Sequence, residues 1–425
     1  MNFADLGLIE PLPRTLHALG YSEPTAVQQQ VIPAVLDGVD LMAAAQTGTG
    51  KTASFTLPLL QRLTQQGPRV SSNCIRALIL VPTRELAEQL FQALLRYGEH
   101  LPLRSQVVYG GVSINPQMMA LRKGADVLVA TPGRLLDLHR QNAVRFSQLQ
   151  CLVLDEADRM LDLGFTDELQ QLLATLPDKR QTLLFSATLP ETVRQLAKHM
   201  LNNPQMIDVS APNSAAENIR QLLISVDRKA KTSLLLHLLQ QRGEPQTLVF
   251  VKTRKAAEQL VAALQDKGLL SDSIHGERTQ PARQRVLEQF KSGAVRILVA
   301  TDLAARGIDI SDLPLVVNYD LPLIAEDYIH RIGRTGRAKA CGEALSLVSA
   351  DEIQQLSSIE ALLGSPLKRH EEPGFVAEHR LPATTAGGQV RKKPKKPKRN
   401  KTPEQQSAKA ASSRIHLGNW LDSDA

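Results

Sequence analysis

The sequence predicts an α/β protein: two tandem parallel-sheet domains joined by a short linker, with a basic, low-complexity tail behind them. Three observations carry this. Short apolar runs alternate with amphipathic stretches of helical length, the alternation pauses near residue 210 and restarts, and beyond about residue 367 it fades. At 425 residues the chain is too long for one ordinary domain, and an apolar content of 43% is enough to build cores.

In the first half, "RALILV", "ADVLVA", "CLVLD" and "QTLLFSA" read as buried strands, continuous in apolar character as a sheet covered on both faces requires. Between them, "TRELAEQLFQALLRYGEHL" and "TPGRLLDLHRQ" carry the i, i+3, i+4 spacing of helices. The pause is "SAPNSAAEN", small and polar. The second half repeats the alternation with "QTLVFVKT", "DSIHG", "VRILVATD" and "LPLVVNYDLP", separated by "RKAAEQLVAALQDKG" and "QPARQRVLEQFKSG". The expected boundaries are a first domain over 1–209, a linker over 210–217, a second domain over 218–367 and a tail over 368–425.

The formal net charge is +7, unevenly placed. From residue 371 onward there are eleven Lys/Arg against six Asp/Glu, a net of +5, which leaves about +2 for everything before it. Eight of those cations fall in "RKKPKKPKRNK", residues 391–401, a low-complexity run expected to be disordered. Such a tail suits an anionic partner such as nucleic acid; by composition alone it is equally a solvated, solubilising tail. The cysteines, Cys74, Cys151 and Cys341, lack metal or CxxC spacing and are expected to be small buried hydrophobes. No signal-peptide pattern and no apolar run of spanning length is present, so a soluble, reducing, cytoplasmic setting is expected.

The chemistry begins at "AAAQTGTGKT", Ala43 to Thr52. The phosphate-loop pattern is Gly, any four residues, then Gly-Lys-Ser/Thr, and here Ala45 replaces the first glycine. The context is right: "VDLMAAA" is a candidate strand and "KTASFTLPLLQRL" a candidate helix. Amides of Gln46, Thr47, Gly48, Thr49, Gly50, Lys51 and Thr52 would then surround phosphate oxygens at a helix N-terminus. Lys51 would balance phosphate charge and the Thr52 hydroxyl would hold Mg²⁺. Ala45 needs only an ordinary backbone angle.

Such a site also needs an acid at the end of a neighbouring strand. "CLVLDEAD" supplies Asp155, to hold Mg²⁺ directly or through water, and Glu156, to activate the attacking water. Alone, this is also the pattern of an acidic helix cap. The two motifs in this order indicate a nucleotide-hydrolysing site.

"DEAD", Asp155 to Asp158, is also the signature of a family, and the chain resembles the DEAD-box ATP-dependent RNA helicases over about 365 residues. "GYSEPTAVQ" (20–28), with Phe3 seventeen residues before it, is similar to the family's adenine-reading motif. "AQTGTGKT" matches its phosphate loop, in which Ala at position 45 is the family's usual residue. "PTRELA" (82–87), the Gly110-Gly111 pair and "TPGR" (131–134) match RNA-contacting motifs. "SAT" (186–188), "LVFVKT", "HGERTQPAR", "ATDLAARGID" and "HRIGRTGR" complete the order. The wording of "GGVSINPQMM" and "TPGRLLDLHRQNAV" is closest to the RhlE-type bacterial branch.

The resemblance implies two RecA-like lobes that close on ATP, Mg²⁺ and RNA. It places Phe3, Tyr21 and Gln28 at the base, where the Gln28 amide can both donate and accept. It assigns Pro82, Thr83, Arg84, Gly111, Thr131, Pro132, Gly133 and Arg134 to RNA contacts. From the second lobe Thr301, Arg306 and Gly307 join them, and Asp309 meets the ribose. "PTRELA" and "TPGR" taken alone are ordinary capped helices. Asp158, Ser186, Thr188 and His330 would couple the lobes, the two hydroxyls bonding Asp158. His330, Arg334 and Arg337, at i, i+4 and i+7, would put three cations on one face of a helix entered at "AEDYIHRI". By resemblance, Arg334 and Arg337 act on the γ-phosphate.

The implied function is an RNA-stimulated ATPase that unwinds short duplexes or remodels RNA–protein complexes. Reading of RNA should be largely independent of sequence, since backbone contacts carry none and the 15 aromatic residues form no stacking cluster. Ribosomal precursors or RNA-decay proteins are plausible partners, and a monomer away from membranes is expected. Two alternatives stay open: a DNA-directed motor of the same two-lobed class, and an ATP-gated RNA clamp or annealing chaperone.

Overall fold

The computed structural model describes residues 2–45, 49–65, 70–208, 219–305, 310, 312–336, 342–385 and 387–390. Two seven-stranded sheets account for it. The first contains β1 (Leu41–Ala44), β2 (Ile75–Leu80), β3 (Ser105–Val108), β4 (Ala125–Ala130), β5 (Cys151–Leu154), β6 (Gln181–Ser186) and β7 (Gln205–Asp208). The second contains β8 (Ile219–Ser225), β9 (Thr247–Val251), β10 (Ser271–Ile274), β11 (Ile297–Thr301), β12 (Leu315–Asn318), β13 (Gly342–Val348) and β14 (Arg369–His370).

Their orders are β3-β4-β2-β5-β6-β1-β7 and β10-β11-β9-β12-β13-β8-β14. Counted from each lobe's first strand, these are the same order, so one topology occurs twice. Every pairing between these described strands is parallel. Parallel neighbours need crossover helices, which cover both faces and bury β2 and β4 along their whole length. The alternation is visible in the core: Ala77 and Ile79 join one apolar cluster, Leu78 and Leu80 the cluster on the opposite face. The predicted strands appear at their places, and the helices Lys51–Gln65, Arg84–Tyr97, Pro132–Arg140, Arg254–Asp266 and Gln280–Lys291 lie where the sequence placed them.

This topology positions the site. Because β5, β6 and β1 are adjacent, the segments leaving their C-terminal ends stand side by side. Those segments are the acidic run at Asp155, the "SAT" run and the approach to Lys51. Open parallel sheets bind ligands along that edge.

One boundary needs correction. The second lobe does not end at residue 367: β14 pairs with β8, and residues 371–390 continue as a strap over the lobe. The Asp227 carboxylate accepts from the N–H groups of Glu378 (2.7 Å) and His379 (3.3 Å). Arg369 donates to the carbonyls of Leu381 (3.1 Å) and Pro382 (2.7 Å). Leu381 is buried and Phe375 packs on the lobe's apolar cluster. The sequence hid this because single anchors and backbone acceptors, not a periodic face, hold the strap. The expected linker and the run at 391–401 lie outside the described residues.

Cys74 and Cys151 are buried and unbonded, and burial pushes the Cys151 thiol up to about 12, so it stays protonated. Cys341 lies outside the described residues. No described helix is long and apolar enough to cross a membrane.

If the strap is part of the lobe, a chain ending at residue 370 will melt at lower temperature than one ending at residue 390. The loss of the Phe375 and Leu381 contacts should lower the second lobe's transition by about 5 °C or more in calorimetry. Equal transitions would mean the strap adds nothing.

Candidate active site between the two lobes

The phosphate loop is held from beneath by the segment before it. Thr25 and Gln28 form a capping box at the helix Ala26–Leu36, with the Gln28 Oε1 accepting from Thr25 N–H at 2.9 Å. The same amide donates through Nε2 to the Gly50 carbonyl (3.2 Å), and the Thr25 hydroxyl donates to the Thr49 carbonyl (2.7 Å). Gly50 has φ +90°, and a Cβ there would lie 2.5 Å from Gln28 Nε2. That position therefore requires glycine on both counts. Ala45 is buried beside Ser186, its N–H bonded to the Ser186 carbonyl, with no left-handed backbone angle. Alanine is thus an ordinary residue there. Gln46, Thr47 and Gly48 lie outside the described residues.

Lys51 opens the helix Lys51–Gln65 and is only 5% exposed, yet its Nζ has no hydrogen-bond partner among the described residues. Facing it, Asp155 is buried at the end of β5 and accepts from the Glu156 N–H at 3.0 Å. Burial pushes the Asp155 carboxyl up to about 6, against the pull of Lys51 and with a further push from Glu156. Glu156 adopts φ 57°, ψ 51°, a left-handed conformation costly for a side chain of its size. Its carboxylate is bonded to Arg159 Nη1 at 3.0 Å.

Asp158 Oδ2 accepts from the Thr188 N–H (2.9 Å), the Thr188 hydroxyl (2.9 Å) and the Ala187 N–H (3.2 Å). Burial opposes its ionisation, but the bonds from Thr188 win and keep it below the usual carboxylate range. The Ser186 hydroxyl acts differently from expectation. It accepts from the Asp158 backbone N–H (3.4 Å) and donates to the Thr188 carbonyl (2.5 Å), so only Thr188 reaches the carboxylate with its side chain.

From the second lobe, Arg334 is buried and lines the same cleft as Gln28, Lys51, Thr52, Asp155 and Glu156, a space of about 630 Å³. The expectation of three cations on one helix face fails. The helix ends at Ile332 and Gly333 caps it, so Arg334 sits in the turn beyond. His330 is no cation either: burial, then the nearby Arg159 charge, drive its imidazole down to about 3 although Asp158 favours protonation. Arg337, Arg306, Gly307 and Asp309 lie outside the described residues, and Thr301 closes β11.

Phe3 also departs from expectation. It is 4% exposed and packs in the first lobe's core with Leu6 and Leu8, so its ring offers no face to the cleft. An apolar ring next to a short helical turn gains more from that core than from solvent. Tyr21 is exposed and lines the cleft, its ring edge-on to Tyr97 with centroids 6.3 Å apart.

The predicted RNA-facing residues gather on the first lobe. Thr83, after Pro82, caps its helix, accepting from Leu86 N–H at 3.3 Å, so the capped-helix reading is realised there. Thr131 makes no such bond above Pro132 and Gly133. A Cβ on Gly111 would fall 1.9 Å from Arg84 Nη1, so only glycine lets that guanidinium lie across the turn. Arg134 Nη2 donates to the Val112 carbonyl (2.9 Å), while its Nε and Nη1 are buried without partners among the described residues.

Two functional contacts escaped the sequence reading. Across the lobes, Glu85 Oε1 accepts from Gln280 Nε2 (3.2 Å) and pairs with Arg283 Nη2 (2.9 Å), all three buried. "HGERTQPAR" matched as a motif, but nothing in its spacing named Glu85 as the partner. Arg159 is the second, hidden as an ordinary residue of a short helix.

The neutral His330 has a pH consequence. Burial between the lobes, then the charges of Arg159, Arg334 and Lys51, depress its value against the pull of Asp158; freed from that burial by open lobes, an imidazole would titrate near its usual 6.5. A depressed value favours closure fully above about pH 6.5 and loses that contribution as pH falls, by up to about tenfold per unit. Fluorescence transfer between dyes on the two lobes should show closure weakening from pH 7 to 5. The slope should flatten in His330→Asn; an unchanged slope would dismiss the imidazole.

A family model described as DEAD/DEAH box helicase matches residues 25–196, and one described as helicase conserved C-terminal domain matches 230–339. The chain is 40% identical over 372 residues to the DEAD-box ATP-dependent RNA helicase CshA of Bacillus cereus, covering 88% of this chain and 70% of that one. It is also 40% identical to the ATP-dependent RNA helicase CshA of Listeria monocytogenes, over 84% of this chain and 68% of the relative. Among solved structures, S. cerevisiae Dbp5 bound to RNA and ADP BeF3 overlaps with a TM-score of 0.78 at 33% identity, covering 87% of this chain and 95% of that one. A DEAD box protein from Methanococcus jannaschii is 37% identical over 87% of this chain and 99% of its own, with a TM-score of 0.52. These relatives carry the CshA name, so the finer RhlE-type placement stays with the resemblance. With both lobes matched in order and the site assembled between them, the chain belongs to the DEAD-box ATP-dependent RNA helicase family.

Proposed function

We propose that this helicase hydrolyses ATP in the cleft between its lobes and uses closure to open short RNA duplexes locally or remodel RNA–protein complexes. One observation carries the reading. Lys51 holds a buried ammonium with no hydrogen bond among the described residues, across the cleft from Arg334 of the other lobe, and the same cleft holds Asp155 and Glu156. A buried ammonium without a partner calls for an anion, and a triphosphate between the lobes would satisfy Lys51 and lie beside Arg334.

Asp155 and Thr52 fit Mg²⁺: both are oxygen donors lining the same cleft, and the Asp155 carboxylate, whose charge burial disfavours, would gain from a divalent cation. Bound there, Mg²⁺ would neutralise phosphate charge. Glu156 accepts the proton of the attacking water, and Arg334, joined by Arg337, steadies charge on the γ-phosphate. Gln28 links the base side of the cleft to the loop through Gly50, and Tyr21 offers the base a ring. Arg84 and Arg134 hold RNA phosphates. The basic run at 391–401 adds salt-sensitive affinity, and the site of action is cytoplasmic, as a monomer, on ribosomal precursors or beside RNA-decay proteins. These last points rest on the resemblance and on the tail's charge.

Steady-state ATPase without nucleic acid, with RNA and with matching DNA tests the reading. RNA should stimulate and DNA should not, and Glu156→Gln should lower kcat by about 10² or more while ATP-dependent RNA binding survives. Equal stimulation by DNA would replace the reading with a general nucleic-acid motor. Turnover without strand separation would make the chain a clamp.

A further inference from the structure

Glu156 must present its carboxylate in one direction to accept a proton from a water that attacks in line. Its backbone does not guarantee that. It stands one residue before the helix Ala157–Asp162 in a left-handed conformation, outside any regular element that would aim the side chain. What does aim it is Arg159, whose Nη1 donates to Glu156 Oε2 at 3.0 Å, with the two side chains 4% and 7% exposed. Both charges are therefore out of water, and each is the other's compensation.

The two residues face different spaces. Glu156 lines the nucleotide cleft with Lys51, Asp155 and Arg334. Arg159 lines a separate small cavity of about 20 Å³ behind it, closed from the second lobe by Asp302, Asp327, His330, Arg331 and Arg334. Arg334 borders both spaces. Two bonds fix the far wall: Arg331 pairs with Asp302 at 2.6 Å, and the Arg331 guanidinium lies over the Phe250 ring at 4.9 Å. Arg159 thus stands between the carboxylate that meets water and a rigid face of the lobe that arrives on closure.

We propose that Arg159 is the positioning residue for Glu156: its guanidinium fixes the carboxylate on the water side of the cleft, and docking of the second lobe against Arg159 holds that arrangement. Arg159 does not line the nucleotide cleft, and it acts through Glu156. The inference rests on Glu156 as the group that accepts the water's proton. In open lobes the wall of Asp302, His330 and Arg331 is absent, so the pair is free to swing. Hydrolysis would then be slow until closure even with ATP in place.

The test compares the full chain with Arg159→Met, Arg159→Lys, Glu156→Gln and the double variant Glu156→Gln/Arg159→Met. Readouts are kcat, KM for ATP, and RNA affinity with a non-hydrolysable ATP analogue. Arg159→Met should lower RNA-stimulated kcat by about 10- to 100-fold, the range expected for a displaced catalytic group, while KM and RNA affinity stay within about twofold. Arg159→Lys, which restores charge without the fork, should recover part of the loss. In single-turnover assays the double variant should be no slower than Glu156→Gln alone. Should Arg159→Met melt below the assay temperature, Arg159→Gln replaces it with the same expectations. The proposal is overturned by an unchanged kcat in Arg159→Met beside an inactive Glu156→Gln. A loss confined to KM or RNA affinity, or a full further loss in the double variant, overturns it as well. Full turnover in Glu156→Gln is a different result, since it removes the base itself and with it this inference.

Discussion

An ammonium kept from water is costly unless something pairs with it, and the architecture of the site follows from holding one at Lys51 that has no hydrogen-bond partner among the described residues. The helix that begins with Lys51 starts directly after a glycine that admits no side chain. That glycine is held by Gln28, so the ammonium cannot retreat by local relaxation of the loop. The nearby acids do not bond it: Asp155 acts on it only through space, and Glu156 is spoken for by Arg159. The remaining positive charge is the site's affinity for an anion. Arg334 adds to it from the opposite lobe.

The two lobes share a strand order and differ in what leaves their strand ends. In the first lobe, β5, β6 and β1 deliver acid, relay and phosphate loop at one edge, and Asp158 joins them by accepting three donors from Ala187 and Thr188. In the second lobe the corresponding edge delivers Thr301, His330 and Arg334. Duplicated topology has thus been used to make two unlike halves of one site. Neither half is complete alone, which gives closure its chemical meaning.

Motifs were legible in the sequence because loops at strand ends must carry particular residues in a fixed order. The strands were legible because a sheet covered on both faces needs continuous apolar runs, as in "RALILV" and "ADVLVA". What stayed hidden had no such pattern. β7 is exposed at three of its four positions and sits at a sheet edge, so it shows no apolar run. The strap is held by Asp227, about 150 residues earlier in the chain, and by Arg369 just before it, through backbone groups that leave no pattern. His330 and Arg334 looked like one helix face because i, i+4 spacing cannot reveal that Gly333 ends the helix between them. Phe3 was placed at the base by resemblance, whereas its burial is a property of the packed lobe.

Closure and RNA binding need a physical link, and Thr83, Arg84 and Glu85 supply one by being consecutive. Thr83 fixes the start of the helix through its cap to Leu86, and Arg84 lies across Gly111 on the side assigned to RNA. Glu85, in the same turn, takes both Gln280 and Arg283 of the second lobe on one oxygen. Those two bonds exist only while the lobes are together, and parting exchanges them for bonds to water. By the resemblance Arg84 meets RNA; a phosphate held there would steady the turn that presents Glu85, and closed lobes would in turn steady Arg84. Linkage makes that assistance mutual: the free energy by which RNA favours closure is the free energy by which closure favours RNA. A helix turn of three residues is short enough to be rigid, so the coupling needs no longer pathway through the lobe.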